Sequence, residues 1–338
     1  MCSAPAEAPA ADASTLSKRP VRDRAEMRAY FPSPYSLAAF TVPQTGAAQP
    51  HYANPYKGRK KVLMINTQER YLPVHEGKYF SSGNHPVETL LPLAHIVAAG
   101  FEVDVATPSG DHVKFENWAY PDKDPVIAAT YERFRDRLES PLDLREVVKQ
   151  GGLSRVAAAK DGTQPAKATE DEYIAVFVPG GHGVLNDIPL SRHVGVLLNQ
   201  ALATDKFIIT LCHGPACLLS ASVALMSASL PELEHALNFV DPESLADPAP
   251  NPFAGYETCA FPDAIDRELP DIGYIPAPMR WYVGEALTQA GLKVLPSPKL
   301  GRVHRDRHLV TGDSPLAADA LGKLAATTLL EAYGDKQG

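Results

Sequence analysis

Four short apolar runs, each separated from the next by enough chain for a helix, constrain this sequence more than any other feature. Lys61–Asn66 (KVLMIN), Phe101–Thr107 (FEVDVAT), Tyr173–Val178 (YIAVFV) and Phe207–Leu211 (FIITL) read as strands. Near-continuous apolar runs, rather than alternating ones, mark strands buried on both faces of a parallel sheet. Helical segments fall between them. One runs from Asn84 to Ala99, with Asn84 as N-cap, Pro86 in the first turn and Gly100 as the stop. Val194–Thr204 is a second, and a third opens after Leu211. Further on, Trp281–Ala290 reads as a helix and Lys293–Leu295 and His308–Thr311 as short strands. Ser314-Pro315 caps a final helix reaching about Ala332. The alternation predicts an α/β fold, a mostly parallel sheet with helices on both faces. Sites in such sheets lie outside the carboxyl ends of the strands.

The remaining segments lack this pattern. Residues 1–26, rich in Ala, Pro, Ser and charge, are expected to form a disordered tail ahead of a catalytic domain over 27–338. The aromatic, proline-bearing stretch from Tyr30 to Pro55 is expected to wrap the surface without forming a helix. Residues 110–168 read as an inserted small subdomain or lid, and 221–251 as a surface excursion. With 32 Lys plus Arg against 40 Asp plus Glu, the net charge of −8 provides no electrostatic footprint for nucleic acid or anionic lipid. No apolar run has the length of a membrane span. The first residues lack a secretory signal's basic and apolar regions, so a cytoplasmic location is expected.

The sharpest chemical pattern is Ile208-Ile-Thr-Leu-Cys212-His213-Gly-Pro, a strand running straight into a cysteine where a helix begins. Such a turn forces its central side chain out at the top of the sheet. The helix start favours a thiolate there, marking Cys212 as a nucleophile rather than a small buried apolar residue. Cys217 and Cys259 read as core, and Cys2 falls in the tail. Val178-Pro179-Gly180-Gly181-His182-Gly183 ends another strand, and its paired glycines let backbone N–H groups approach a ligand. With the N–H at the elbow they can form an oxyanion site. Glu88 stands in a helix's first turn. It either complements the helix start or, among apolar Val87, Leu90 and Leu91, faces inward as a proton-moving carboxyl with a raised pKa. Within AFPDAID, Asp263 or Asp266 can orient a histidine, while His304-Arg-Asp-Arg-His308 reads as a solvated loop.

The segments ERYLP (69–73), GNHPVETLLPL (83–93), VFVPGGHG (176–183), LCHGPA (211–216), AFPDAID (260–266), GRVH (301–304) and TGDSP (311–315) carry a resemblance. In order and spacing the chain resembles the thirty-one-kilodalton heat-shock chaperone type of glyoxalase III. That group belongs to the ThiJ/PfpI superfamily, on the class I glutamine amidotransferase-like fold. The resemblance spans about Tyr30 to Tyr333 and includes FPSPYSLAAFT. It implies a flavodoxin-like core with a small second α/β subdomain, usually as a homodimer. It also implies cofactor-free conversion of methylglyoxal, a 2-oxoaldehyde, and water to lactate. Deglycation of glycated thiols and amines, and holding of unfolded proteins, accompany it. Carried over by residue, Cys212 is the nucleophile, His213 its partner, Asp266 the group orienting the histidine and Glu88 the proton-shuttling carboxyl. Gly181, His182 and His213 are the oxyanion and substrate-binding positions. Zinc-binding members use two histidines and a glutamate, where this chain has Val97, Phe134 and Glu102. No metal and no cofactor are therefore expected. The 221–251 excursion is longer than is usual in the group, and the 1–26 tail has no placed counterpart.

The expected reaction begins with thiolate addition to the aldehyde carbon. Either Glu88 or His213 then removes the carbon-bound proton, and a thioester is finally hydrolysed. The alternative reading is a holding chaperone in which the Cys site is secondary. Aggregation suppression unchanged by Cys212→Ala would separate the two. A cysteine peptidase, built from the same residue types, is a third reading that requires peptide hydrolysis rivalling methylglyoxal turnover.

Overall fold

The computed structural model describes residues 15–153, 172–227 and 250–334. Its central sheet has seven strands, ordered Val303–Asp306, Leu309–Gly312, Phe207–Leu211, Tyr173–Val178, Lys61–Ile65, Glu102–Thr107 and Leu142–Asp143. Every neighbouring pair is parallel except the hairpin formed by the first two. The five parallel strands from Leu309–Gly312 to Glu102–Thr107 follow the flavodoxin-like order. Its switch point lies between the Lys61–Ile65 and Tyr173–Val178 strands.

Burial follows the apolar runs. Val62, Leu63, Met64 and Ile65 are all fully enclosed. Leu63 and Ile65 pack on one face with Val176, Val178, Val194 and Leu197. Val62 and Met64 point to the other face, with Phe177, Leu90, Phe134 and Leu329. Each such side chain contributes roughly 1.5–3 kcal/mol by leaving water. Helices Pro86–Ala98, Pro125–Glu139 and Ala318–Tyr333 cover the second face, and Arg192–Ala203 and Val283–Gln289 the first. Among the described residues no helix is long and apolar enough to cross a membrane.

Several local expectations need correction. Residues 1–14 lie outside the described chain, but the expected tail ends well before residue 26. Val21–Arg22 pairs with Ala29–Phe31 in a four-stranded sheet completed by Tyr79–Ser81 and Tyr71–Pro73. Pro34–Phe40 is a helix after all, because Ser33 caps it by accepting from the Ser36 N–H and Pro34 suits its first turn. The 110–168 segment does not stand off as a lid over its described part. Leu142–Asp143 joins the main sheet, and the Pro125–Glu139 helix buries Ile127 and Phe134 against the Pro86–Ala98 helix. His304, Arg305 and Asp306 form an edge strand rather than a loop, turned back by Arg307 at φ 55°. Of the 221–251 excursion, residues up to Ser227 continue the Ser220–Ser227 helix, and 228–249 lie outside the described residues.

Asn84 does not cap the helix after it, where His85 holds the N-cap position without a side-chain hydrogen bond. The Asn84 amide is buried instead. It accepts from the Thr67 N–H and donates to the carbonyls of Thr67 and Lys114. It thereby ties together two loops at the carboxyl edge of the sheet.

Candidate active site

The Phe207–Leu211 strand ends at Cys212, whose φ of 60° lies in the left-handed region. A non-glycine residue there costs about 1–3 kcal/mol and persists only where its surroundings enforce it. They do so here: the Cys212 N–H donates to the Gly312 carbonyl and the Cys212 carbonyl accepts from the Phe261 N–H. The thiol is thus held at the carboxyl end of the sheet, beside the switch point. The chain does not enter an α-helix at once. Gly214–Leu219 is a 3₁₀ turn leading into the Ser220–Ser227 helix.

His213 lies against this thiol, with Asp266 behind it. Cys212 Sγ is 3.3 Å from His213 Nδ1, and His213 Nε2 is 2.9 Å from Asp266 Oδ2. A carboxylate can only accept, so the Nε2 proton points to Asp266 and Nδ1 is free to accept from sulfur. Burial works against the Asp266 charge, but the imidazoles of His213 and His182 overcome it and hold the carboxyl at about 2. Asp263 goes elsewhere: its oxygens accept the Gly284 and Glu285 N–H groups at the start of the Val283–Gln289 helix. The geometry therefore separates the two aspartates that the spacing left open.

Glu88 is completely buried in the first turn of its helix. Its carboxyl lies against the Cys212 thiol, and Gly180 leaves the space for both. A Cβ on Gly180 would overlap Glu88 Oε2 and stand 2.8 Å from Cys212 Cβ. The Glu88 oxygens have no hydrogen-bond partner of good geometry, and burial holds the carboxyl protonated, well above the ordinary range. Burial also pushes the Cys212 thiol up, reinforced by the repulsion an ionised Glu88 would exert. Both shifts favour the uncharged forms, thiol and carboxylic acid. The helix start expected to favour a thiolate is a 3₁₀ turn here, and burial acts on the thiol in the opposite sense. We expect Gly180→Ala to lower turnover at least tenfold and to cost about 1–3 kcal/mol through overpacking, read by kinetics and thermal unfolding. Full activity would contradict this packing.

Gly181 has a φ of 108°, and a Cβ on it would overlap the Gly83 carbonyl and the His85 N–H. The loop is stapled there by His85 N–H to Gly180 carbonyl (2.9 Å) and Gly183 N–H to Gly83 carbonyl (3.1 Å). Among the described residues, the N–H groups of Gly181 and His213 donate to no protein acceptor. They remain available to a ligand oxygen. The His182 side chain, expected at an oxyanion or substrate-binding position, reaches Asp266 instead, with Nε2 3.2 Å from Oδ1.

Glu116 was not anticipated. It is almost completely buried, and its Oε1 accepts the Ser82 hydroxyl (2.6 Å) and the His182 N–H (3.2 Å). It stands next to the Asn84–Phe115 bridge that draws its loop to the site. The signal available was a lone carboxylate between Phe115 and Trp118.

The donor set for zinc does not fit. Phe134 is packed in the core, Val97 has no donor atom, and Glu102 is exposed and paired with Lys61 at 3.5 Å. Elsewhere among the described residues, His182, His213 and Asp266 are close enough to share an ion, but their facing atoms already bond one another. Protein prepared without chelator should carry far less than about one zinc per chain. Stoichiometric zinc whose removal abolishes activity would contradict this.

Comparison with known proteins agrees with the fold. Residues 80–239 match the DJ-1/PfpI family. The chain is 48% identical over 318 residues to the protein/nucleic acid deglycase HchA of Pseudomonas aeruginosa, covering 94% of this chain and 97% of that protein. It is 44% identical over 317 residues to the Escherichia coli protein of the same name, covering 94% and 98%. Among solved structures, glyoxalase III from Candida albicans superposes with a TM-score of 0.52 at 18% identity, over 80% of this chain and 98% of that one.

Proposed function

Since the chain belongs to the DJ-1/PfpI family, alongside the HchA deglycases, we propose that it is a cofactor-independent glyoxalase that converts methylglyoxal and water to lactate. The observation that carries the reading is the buried chain Cys212–His213–Asp266 with the Glu88 carboxyl against the thiol. A soft nucleophile, a neutral base and a protonated acid meet at one point, which is what isomerising a 2-oxoaldehyde requires.

The Cys212 proton passes to His213 Nδ1 as sulfur adds to the aldehyde carbon. The oxygen that develops charge faces the Gly181 and His213 N–H groups and takes the proton back, giving a hemithioacetal. His213, neutral again, removes the carbon-bound proton while Glu88 protonates the ketone oxygen, giving an enediol. His213 then protonates the second carbon and Glu88 recovers a proton from the first hydroxyl. The first carbon has been oxidised to a thioester and the second reduced to a carbinol, with no outside oxidant. Water assisted by His213 releases lactate, and sulfur regains its proton.

Methylglyoxal carried on an amine or thiol reaches the same hemithioacetal once that group, protonated, leaves the aldehyde carbon and Cys212 sulfur takes its place, which brings the deglycase activity of the relatives within reach of this site. Turnover in deuterium oxide tests the route. The His213 proton exchanges with solvent, so lactate should carry deuterium at the carbinol carbon. Lactate that retains only protium there would indicate a direct hydride shift, and a product other than lactate would overturn the assignment.

A further inference from the structure

The His182 side chain has no step in that chemistry, yet it is enclosed beside the reacting groups with only 5% of its surface exposed. Asp266 divides its two oxygens between imidazoles, Oδ1 to His182 Nε2 at 3.2 Å and Oδ2 to His213 Nε2 at 2.9 Å. The two rings lie 4.0 Å apart between centroids. From the opposite side, Glu116 Oε1 stands 3.8 Å from His182 Nδ1 while holding the His182 N–H. Among the described residues, His182 is therefore the ring in the site flanked by two carboxylates. His213 has one carboxylate and a thiol.

We propose that His182 is a positioning residue whose positive charge, clamped between Asp266 and Glu116, keeps His213 neutral and ready to accept the Cys212 proton. The inference rests on the reading of Cys212 as the nucleophile. Two adjacent imidazoles sharing one carboxylate cannot both be cationic without repulsion, so the better-paired ring takes the charge.

The surrounding groups agree. Burial alone would push His182 down, but the hydrogen bond to Asp266 and the Glu116 carboxylate 3.8 Å from Nδ1 overcome it and hold the ring at about 9. Burial lowers His213, and the neighbouring His182 charge lowers it further against the pull of Asp266. Burial works against the Glu116 charge, but the His182 ring and the Ser82 hydroxyl outweigh it and hold the carboxyl below its ordinary range. His85, itself lowered by burial, adds no cation. The Tyr274 ring lies 5.9 Å from His182 and is held neutral by burial, as is Glu88.

The test is a pH titration of the imidazole nitrogens by ¹⁵N NMR in the full chain, with kcat/KM followed over the same range. In the wild type, His182 should be protonated and His213 neutral at pH 7. In His182→Gln the protonation midpoint of His213 should rise by about one unit or more, and the acid limb of kcat/KM should move up with it. A merely structural role would lower activity without moving either. Should that variant not fold, Glu116→Gln should lower the His182 midpoint by about one unit or more. A neutral His182 at pH 7 in the wild type, or an unmoved midpoint in the folded variant, overturns the proposal. The NMR readout needs no turnover. Titrations as expected in a protein that makes no lactate would uphold the charge arrangement and reject the reaction assigned above.

Discussion

Replacing Cys212 with alanine is expected to lower methylglyoxal turnover by roughly 10⁴-fold or more while leaving the fold intact. The size follows from the nucleophile's place in the scheme: each later step acts on an intermediate held through its sulfur, and groups that work as a unit fail together. The structural cost is small. Alanine keeps the Cβ and meets the same strain at a φ of 60°, and the sulfur lost from the 4% exposed side chain leaves a void worth about 1 kcal/mol. The Gly312 and Phe261 backbone bonds that hold the elbow do not involve the side chain. Turnover and thermal unfolding, measured on the same preparation, should therefore part company. A variant that keeps even a tenth of wild-type turnover would remove Cys212 from the chemistry.

The second large effect is expected at Glu88. If this residue only complemented the helix start, Glu88→Gln would cost a few tenths to about 1 kcal/mol of stability and spare catalysis. The carboxyl is instead buried, protonated and set against the thiol, where the scheme has it give a proton to one oxygen and recover one from another. Glutamine preserves shape but cannot pass a proton. General acid–base catalysis is typically worth about 10²–10⁴-fold, or roughly 3–5 kcal/mol of barrier. We expect at least a hundredfold loss, with a Cys212 that still alkylates. Stability should change by about 1 kcal/mol or less, because one neutral buried group replaces another of the same shape. Turnover within about threefold of wild type would return Glu88 to a structural role and leave His213 as the sole proton carrier.

Much of this site is legible in the sequence because its chemistry sits on strand ends. A buried apolar run has one reading, and the residue after it has one place to point. Cys212 and the paired glycines occupy such positions, and Glu88 stands in the first turn of a helix. What escaped depends on contacts between distant segments. Glu116 lies in a stretch without periodicity, and only the pairing of Phe115 with Asn84 carries it to His182. The same pairing explains why Asn84, a good N-cap by type, is used as a brace between loops. The peripheral sheet escaped for another reason. Its strands are two or three residues long, too short for an alternating pattern to show. The Pro34–Phe40 helix did carry its signal in Ser33-Pro34, which the aromatic residues around it obscured.

The most direct test of the account is lactate formation from methylglyoxal by the purified chain, in buffer free of glutathione and nicotinamide and after treatment with a strong chelator. The account predicts one lactate for each methylglyoxal consumed, at a rate the chelator leaves unchanged and that Cys212→Ala abolishes. Methylglyoxal consumed without lactate, or lactate that appears only with glutathione or a metal, would contradict it.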